Sequence, residues 1–335
     1  MRGHIVQNLV PLAIVAILIV TLVRARRQPL WAEAYRRLRR NPLALVAVCV
    51  IALYGTIAVL DSIQWQNGRN APSLTVIDRV FKKPLERTYS APMATVTTGE
   101  QKPHKLTQKH ILGTDGVGDD VFYLTLKGCR TAILLGGLTS VIVTPLALLF
   151  GMAAGYFGRR VDDIIQYIYT VLDSIPGILL LIAMMLVLGR GIVQMCIALG
   201  VTSWVGLCRL SRGETLKHRD REYVRAARAL GASHGRILVR HILPNLMPIV
   251  IISVTLGISG LILSEAILAY LQLGVQAGVG SWGNMIDSAR GELAREPIIW
   301  WNLVSASSAL FILVLAFNVL GDALRDAIDP RLRSS

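Results

Sequence analysis

Apolar residues gather in long, nearly uncharged runs along this chain, and polar residues fill the intervals between them. A helix of about 20 apolar residues crosses the roughly 30 Å hydrocarbon layer of a bilayer. Seven runs reach or approach this length, the fifth being the shortest: 5–23, 43–60, 131–157, 164–188, 192–207, 246–271 and 302–320. The pattern therefore predicts an all-α, polytopic helical membrane protein.

The composition supports this prediction. Hydrophobic residues make up 53% of the 335 positions and charged residues 17%, which is more apolar than an ordinary soluble domain. The formal net charge is +14, and basic clusters beside helix ends account for much of it through topology and contact with anionic lipid headgroups. We therefore expect the lipid bilayer, and no nucleic acid, as a partner.

Lysine and arginine in short loops mark the cytoplasmic side of a membrane protein. They crowd two intervals, one between the first and second runs and one between the fifth and sixth. An odd number of crossings precedes each interval, which predicts an amino terminus outside and a cytoplasmic tail from residue 321. The intervals 61–130 and 272–301 then lie outside. The run 5–23 is interpreted as an uncleaved anchor rather than a signal peptide, because its basic cluster follows it and no Ala-x-Ala site closes it.

The interval 209–245 is a polar segment set between two apolar runs. Asp220 predicts the amino-terminal cap of a helix over 221–230, and Gly231 is the residue type that ends helices in the left-handed region. Helical spacing predicts a shared apolar face for three residues of this helix: Tyr223, Ala227 and Leu230.

A second helix is predicted directly after the first. Ser233 is its expected cap, and the helix spans 234–243. Pro244 is expected to limit it, since proline disfavours helical geometry at the preceding residue. The interval therefore predicts two short helices.

These residues carry a resemblance to a known family. Glu222-Tyr-Val-Arg-Ala-Ala-Arg-Ala-Leu-Gly-Ala-Ser233, followed by Ile237 and His241-Ile-Leu-Pro-Asn245, resembles the EAA loop of bacterial ABC importer permeases. In that family the loop docks into a cleft of a separate ATPase subunit. The resemblance implies this role for seven residues here: Glu222, Ala226, Ala227, Gly231, Ala232, Ser233 and Pro244. The alternative is an ordinary basic linker.

Four further segments narrow the resemblance to the second permease of dipeptide and oligopeptide importers: 110–120, 264–275, 281–284 and 318–331. The resemblance implies a six-span type I ABC importer permease core in the bacterial inner membrane, with 5–23 as an extra amino-terminal span. It also implies two ABC ATPase subunits, a second homologous permease and an extracytoplasmic solute-binding protein as partners. The chain has Gly118-Asp-Asp120 where the family usually has Gly-Arg-Asp, so the substrate stays open among peptides and similar small solutes.

The same resemblance gives a division of the chain into four parts. Residues 1–42 are the extra anchor with its basic cytoplasmic link, and residues 43–130 are the first core span with a long extracytoplasmic segment. Residues 131–321 are the permease domain, which contains the coupling loop 209–245. Residues 322–335 are the cytoplasmic tail.

Two carboxylates inside predicted spans support a rival hypothesis. An ionised carboxylate near the centre of a span is costly, so Asp173 and Glu265 are expected to face the bundle interior or to titrate. In an ion-gradient-driven secondary transporter such groups bind ions or protons. Asp173 also lies just before Pro176 and Gly177, as in the broken helices that line transport sites. Structural pairing of both carboxylates is the interpretation we favour.

Catalytic chemistry is not indicated. The chain lacks a Gly-x-x-x-x-Gly-Lys-Ser/Thr phosphate loop, so ATP hydrolysis is expected on partner subunits and not here. His104 and His110 lie in an exposed-looking segment without further ligand types at metal-binding spacing, so we expect neither a metal site nor a cofactor. Gly151 and Gly155 form a small-xxx-small pair, for which packing within this chain is favoured over contact with a second permease.

Overall fold

The computed structural model describes residues 35–65, 74–276 and 278–328, so the predicted span 5–23 lies outside the described residues. Two short strands, β1 Gln64–Trp65 and β2 Leu74–Thr75, pair antiparallel. The helices in chain order are α1 Pro42–Ser62, α2 Val76–Phe81, α3 Val121–Phe157, α4 Arg159–Asp173, α5 Gly177–Leu188, α6 Ile192–Thr202, α7 Trp204–Arg219, α8 Glu222–Ala229, α9 His234–Ile237, α10 Leu243–Tyr270, α11 Trp282–Glu292 and α12 Trp301–Ile328.

Within the described ranges, five helical stretches are long and apolar enough to cross a membrane, or six if the bent pair α4 and α5 is one span. That pair bends by 85°, where the sequence predicted one span over 164–188. Pro176 explains the break, because it lacks a backbone N–H and disfavours helical geometry at Ile175. The all-α bundle is confirmed.

Helix α3 begins at Val121, ten residues before the predicted start at 131. Asp120 caps it, since its Oδ1 accepts hydrogen bonds from the backbone N–H groups of Phe122 at 2.8 Å and Tyr123 at 3.2 Å. Hydropathy misses this first part of the helix because it is not uniformly apolar. With 37 residues, α3 is about 55 Å long and extends well beyond a hydrocarbon layer of about 30 Å.

The small-xxx-small pair of α3 faces α7 of the same chain. A Cβ atom built on Gly151 would overlap the Ser211 hydroxyl, and one on Gly155 would lie 2.7 Å from the Arg212 carbonyl oxygen. The favoured interpretation, packing within the chain, is therefore confirmed. Close approach at these glycines makes α3 and α7 the most extensively packed helix pair of the described structure.

The segment between α2 and α3 folds onto the end of the bundle where α3 begins. The indole N–H of Trp301 donates to the Thr114 carbonyl oxygen at 2.9 Å, which joins this segment to α12. His110 was expected to be exposed, and this is wrong: it is fully buried. Its Nδ1 lies 2.8 Å from Asp120 Oδ2 and its Nε2 lies 3.4 Å from Glu86 Oε1, so two carboxylates satisfy the ring inside the protein.

Candidate functional site

The EAA-like interval folds as two short helices after α7. Helix α8 spans Glu222–Ala229, within the predicted 221–230. Its amino-terminal cap is Arg221, whose side chain makes no cap hydrogen bond, whereas Asp220 ends α7. The prediction of Asp220 as the cap is therefore wrong. Glu222 in the first turn supplies the favourable interaction with the helix dipole instead.

Gly231 ends α8 in the left-handed conformation, as its residue type predicted, with φ at +77°. The N–H of Gly231 donates to the Arg228 carbonyl and the N–H of Ala232 donates to the Ala227 carbonyl, both at 3.0 Å. This pair of bonds is a Schellman motif, which satisfies carbonyl groups that the helix end would leave unpaired. The turn sets the direction in which the chain leaves α8.

The buried face of α8 differs from the predicted one. Val224 is fully buried and Ala227 is 9% exposed, whereas Leu230 is 88% exposed. Val224 and Ala227 pack in one apolar cluster, together with residues from the end of α3, from α9 and from the helical stretch that follows α9: Tyr156, Ile237, Ile242, Leu246 and Val250. Leu230 was assigned to the packed face, but it lies beyond the last helical turn and faces outward.

Tyr156, near the end of α3, links the loop to the bundle through hydrogen bonds. Its hydroxyl lies 2.9 Å from His234 Nδ1 and accepts a hydrogen bond from Arg228 Nη2 at 3.5 Å. The Arg228 guanidinium also lies over the Tyr156 ring at 5.7 Å. One aromatic side chain of α3 thus contacts both short helices of the loop.

Pro244 does not end the second helix, contrary to the prediction. Helix α9 continues through a π-helical turn, Leu238–Ile242, directly into α10. Pro244 lies in the first turn of α10, after the change of register. A π turn alters which carbonyl each N–H faces, so the missing N–H and the ring of proline are accommodated there without a break.

Of the seven residues that the resemblance selects, six remain at least partly accessible. Ala227 is in the core and its side chain is not available to a partner. The side chain of Ser233 makes no cap hydrogen bond, although Ser233 occupies the cap position of α9. Ala232 is half-buried. The other five are exposed: Glu222, Ala226, Gly231, Ser233 and Pro244.

The two intramembrane carboxylates are separate and differ in environment. Asp173 is not in the bundle interior: it lies at the end of α4, half-exposed, with its Oδ2 2.7 Å from Arg209 Nη2 of α7. Glu265 on α10 is 2% exposed, and its Oε1 accepts a hydrogen bond from Ser281 Oγ at 2.5 Å. Each carboxylate therefore has a structural partner within the chain.

Family comparisons give matches over most of the chain. Residues 147–334 match the family described as binding-protein-dependent transport system inner membrane component. Residues 29–77 match the N-terminal TM domain of oligopeptide transport permease C. The first match covers the EAA-like interval 209–245 and α10 to α12.

Individual relatives are similar over nearly their whole length. The oligopeptide transport system permease protein OppC of Bacillus subtilis is 33% identical over 304 residues, 91% of this chain and 90% of the relative. The glutathione transport system permease protein GsiD of Pectobacterium atrosepticum is 32% identical over 322 residues, 96% and 98% of the two chains.

A solved structure shares the fold. The MetNI methionine ABC transporter, in an inward-facing conformation, matches with a TM-score of 0.51 at 18% identity. The match covers 62% of this chain and 97% of that chain.

Proposed function

Because the chain belongs to the binding-protein-dependent transport system inner membrane components, we propose that it is the permease subunit of an ATP-driven importer of peptides or similar small solutes. Its relatives are permeases of oligopeptide and glutathione transport systems, which supports this substrate class. The partners in this proposal are two ATPase subunits, a second homologous permease and an extracytoplasmic solute-binding protein.

The observation that carries the proposal is the two-sided construction of α8 and its Schellman turn. An isolated helix of eight residues is marginal in water, so the buried Val224 and Ala227 are needed to hold it in place. On the other side the loop exposes Ala226, Gly231 and the apolar side chain of Leu230. An exposed large apolar side chain beside small residues suits insertion into a protein groove. We assign this face to contact with an ATPase subunit.

Membrane orientation follows from the same assignment. The coupling loop 209–245 and the tail from residue 321 lie in the cytoplasm, and the amino terminus and the segment between α2 and α3 lie outside. Two variants test this orientation, Ser233→Cys and Lys102→Cys, each made in a chain whose four native cysteines have been replaced. Both positions are exposed. A membrane-impermeant maleimide added to intact spheroplasts should label position 102 and spare position 233. The reverse pattern would invert the topology.

An ion-gradient-driven transporter is the second candidate, and the side-chain geometry does not favour it. Asp173 is neutralised by Arg209, and Glu265 is hydrogen-bonded to Ser281. Each partner occupies a carboxylate oxygen that an ion would otherwise contact.

The test is uptake of a labelled dipeptide into proteoliposomes that contain the complete transporter with its binding protein. Uptake should require ATP on the ATPase side, persist when ionophores dissipate ion gradients, and survive Asp173→Asn. A complex with a hydrolysis-deficient ATPase subunit is the control. Uptake that continues with this control and stops with ionophores or Asp173→Asn would establish the secondary transporter instead.

A further inference from the structure

A cavity of about 670 Å³ lies at the end of the bundle where α3 begins, opposite the coupling loop. Its wall includes Lys127 of α3 and Ala269 of α10, together with Asn284 of α11. About 30 residues of α3 separate Lys127 from the loop-contacting end, which corresponds to about 45 Å. The size falls within the range of small-molecule sites, roughly 300 to 1,000 Å³.

Two buried oxygen atoms, one on the cavity wall and one directly behind it, have no hydrogen-bond donor among the described residues. Asn302 lines the cavity and its Nδ2 donates to Glu292 Oε1 at 3.2 Å. The remaining oxygens of the pair, Asn302 Oδ1 and Glu292 Oε2, accept no hydrogen bond, although the residues are only 2% and 3% exposed. Buried acceptors without donors are costly, and native structures rarely retain them without a reason. A donor that enters from the cavity would satisfy the Asn302 oxygen directly.

Electrostatics at the same wall favours a positively charged donor. Asp115 also lines the cavity, and burial raises the pKa of its carboxyl. Burial likewise raises the pKa of Glu292, and the charge of Asp115 adds to this effect. Neighbouring Asn302, Tyr89 and Arg295 act in the opposite direction, but they lower the pKa of Glu292 by less than burial and Asp115 raise it. A cation at this wall would offset the cost of the half-buried Asp115 carboxyl and of the buried Glu292 carboxyl.

The basic residues of the cavity are placed differently from the acidic ones. Lys127 is already engaged, with its Nζ 2.8 Å from Asp61 Oδ1 and 2.9 Å from Asp78 Oδ1. Lys82 and Arg190 are exposed at the edge of the cavity. These two cations are exposed, whereas the acidic residues of the wall are half-buried: Asp115, Asp119 and Asp287. Such a cavity is complementary to a molecule that carries an ammonium group at one end and a carboxylate at the other.

We propose that this cavity is a binding subsite for the terminal ammonium group of a short peptide. Asp115 and Asn302 contact the ammonium group, and Glu292, one hydrogen bond behind Asn302, attracts it through its charge. The peptide carboxylate points toward Lys82 and Arg190. The subsite rests on the proposed function, because it takes its ligand class from the proposed peptide transport. It adds a permease site that recognises substrate independently of the binding protein.

Binding of alanyl-phenylalanine and of its N-acetyl derivative to the complete transporter in nanodiscs, without the binding protein, tests the proposal. Saturation-transfer difference NMR detects weak ligands and gives affinities by titration. We expect the free dipeptide to bind at least about tenfold more tightly than the acetylated one, which corresponds to the loss of a hydrogen bond to a charged group. Glu292→Gln and Asp115→Asn should each remove most of this preference.

Asp163→Asn is the matched control, because Asp163 is exposed on α4 and remote from the cavity walls, and it removes the same charge. Equal binding of the two peptides by the unmodified transporter would overturn the subsite without any variant that has to fold. An unchanged preference in folded Glu292→Gln would also overturn it. If ATP-dependent uptake of peptides fails in the complete transporter, the proposed function is wrong, and the subsite with it.

Discussion

Gly231→Ala in the coupling loop should weaken ATPase binding while the chain still inserts into the membrane. Gly231 has φ at +77°, and no neighbouring atom of the described residues lies within 4 Å of the position that a Cβ would take. The substitution therefore introduces no clash in the free chain. Its whole effect there is the backbone strain of a left-handed conformation in a residue with a side chain.

The magnitude follows from that strain. A non-glycine residue in the left-handed region costs roughly 1 to 2 kcal/mol. Helix α8 has eight residues and two buried anchors, so the loop can release the strain by giving up the Schellman hydrogen bonds of Gly231 and Ala232. If the docking conformation loses about 1 to 2 kcal/mol relative to other loop conformations, the apparent affinity for the ATPase falls about five- to thirtyfold.

Gly235→Ala provides a matched control four residues away. Gly235 lies in α9 without a positive φ, and its Cβ position is also free of neighbours within 4 Å. Alanine is the better helix former, so this variant should retain affinity. Gly231→Asn should fall between the two, because asparagine tolerates the left-handed region better than alanine.

The assay is biolayer interferometry, with the detergent-solubilised permease pair immobilised and the ATPase subunit titrated. Expression and membrane insertion are checked separately for each variant. Equal dissociation constants for Gly231→Ala and Gly235→Ala would refute the reasoning, since the two variants add the same methyl group and differ in backbone conformation.

Two further predictions concern stability. Gly155→Ala places a Cβ 2.7 Å from the Arg212 carbonyl oxygen and should destabilise the chain by about 1 to 3 kcal/mol, which is measured as a lower melting temperature in detergent. Gly137→Ala is the control, because a Cβ at Gly137 of the same helix has no neighbour within 4 Å among the described residues. Equal melting temperatures of the two variants would show that the contact at Gly155 is not tight. Burial raises the pKa of Asp78, but hydrogen bonds from neighbouring groups including Lys127 outweigh it and bring the value to about 2. The folded pKa lies below the unfolded value of 3.8, so this stabilisation is present above about pH 4 and is lost as pH falls toward 2. Asp78→Asn should flatten that part of the acid unfolding profile, and an unchanged profile would count against it.

The membrane bundle could be predicted because long apolar runs constrain the chain strongly. Gly231 could be placed for a similar reason, since few residues adopt a left-handed helix end easily. These are local properties that one segment carries by itself.

Properties that depend on contacts between distant segments could not be predicted in the same way. His110 has a polar sequence context, but its burial depends on Glu86 and Asp120 converging on the ring. Asp173 was expected inside because its run is apolar, whereas the 85° bend brings it to Arg209. For α8, spacing alone allowed several apolar faces, and packing against Tyr156 selected the one that contains Val224.

The cavity wall was missed for the same reason. Glu292 and Asn302 belong to different helices, and the sequence between them carries no motif that predicts a shared site. Their unpaired oxygens result from the packing of α11 against α12, which brings the two side chains together.

The π-helical turn joins α9 to α10, so that His234–Tyr270 is one uninterrupted helical stretch of 37 residues. At about 1.5 Å per residue this stretch is a rod of about 55 Å. One end is built into the coupling loop, and Ala269 at the other end borders the cavity. If the rod tilts by about 10° around its middle, its ends move about 5 Å in opposite directions. An inward push at one membrane face would thus become an outward swing at the other, without any hinge residue having to change its conformation.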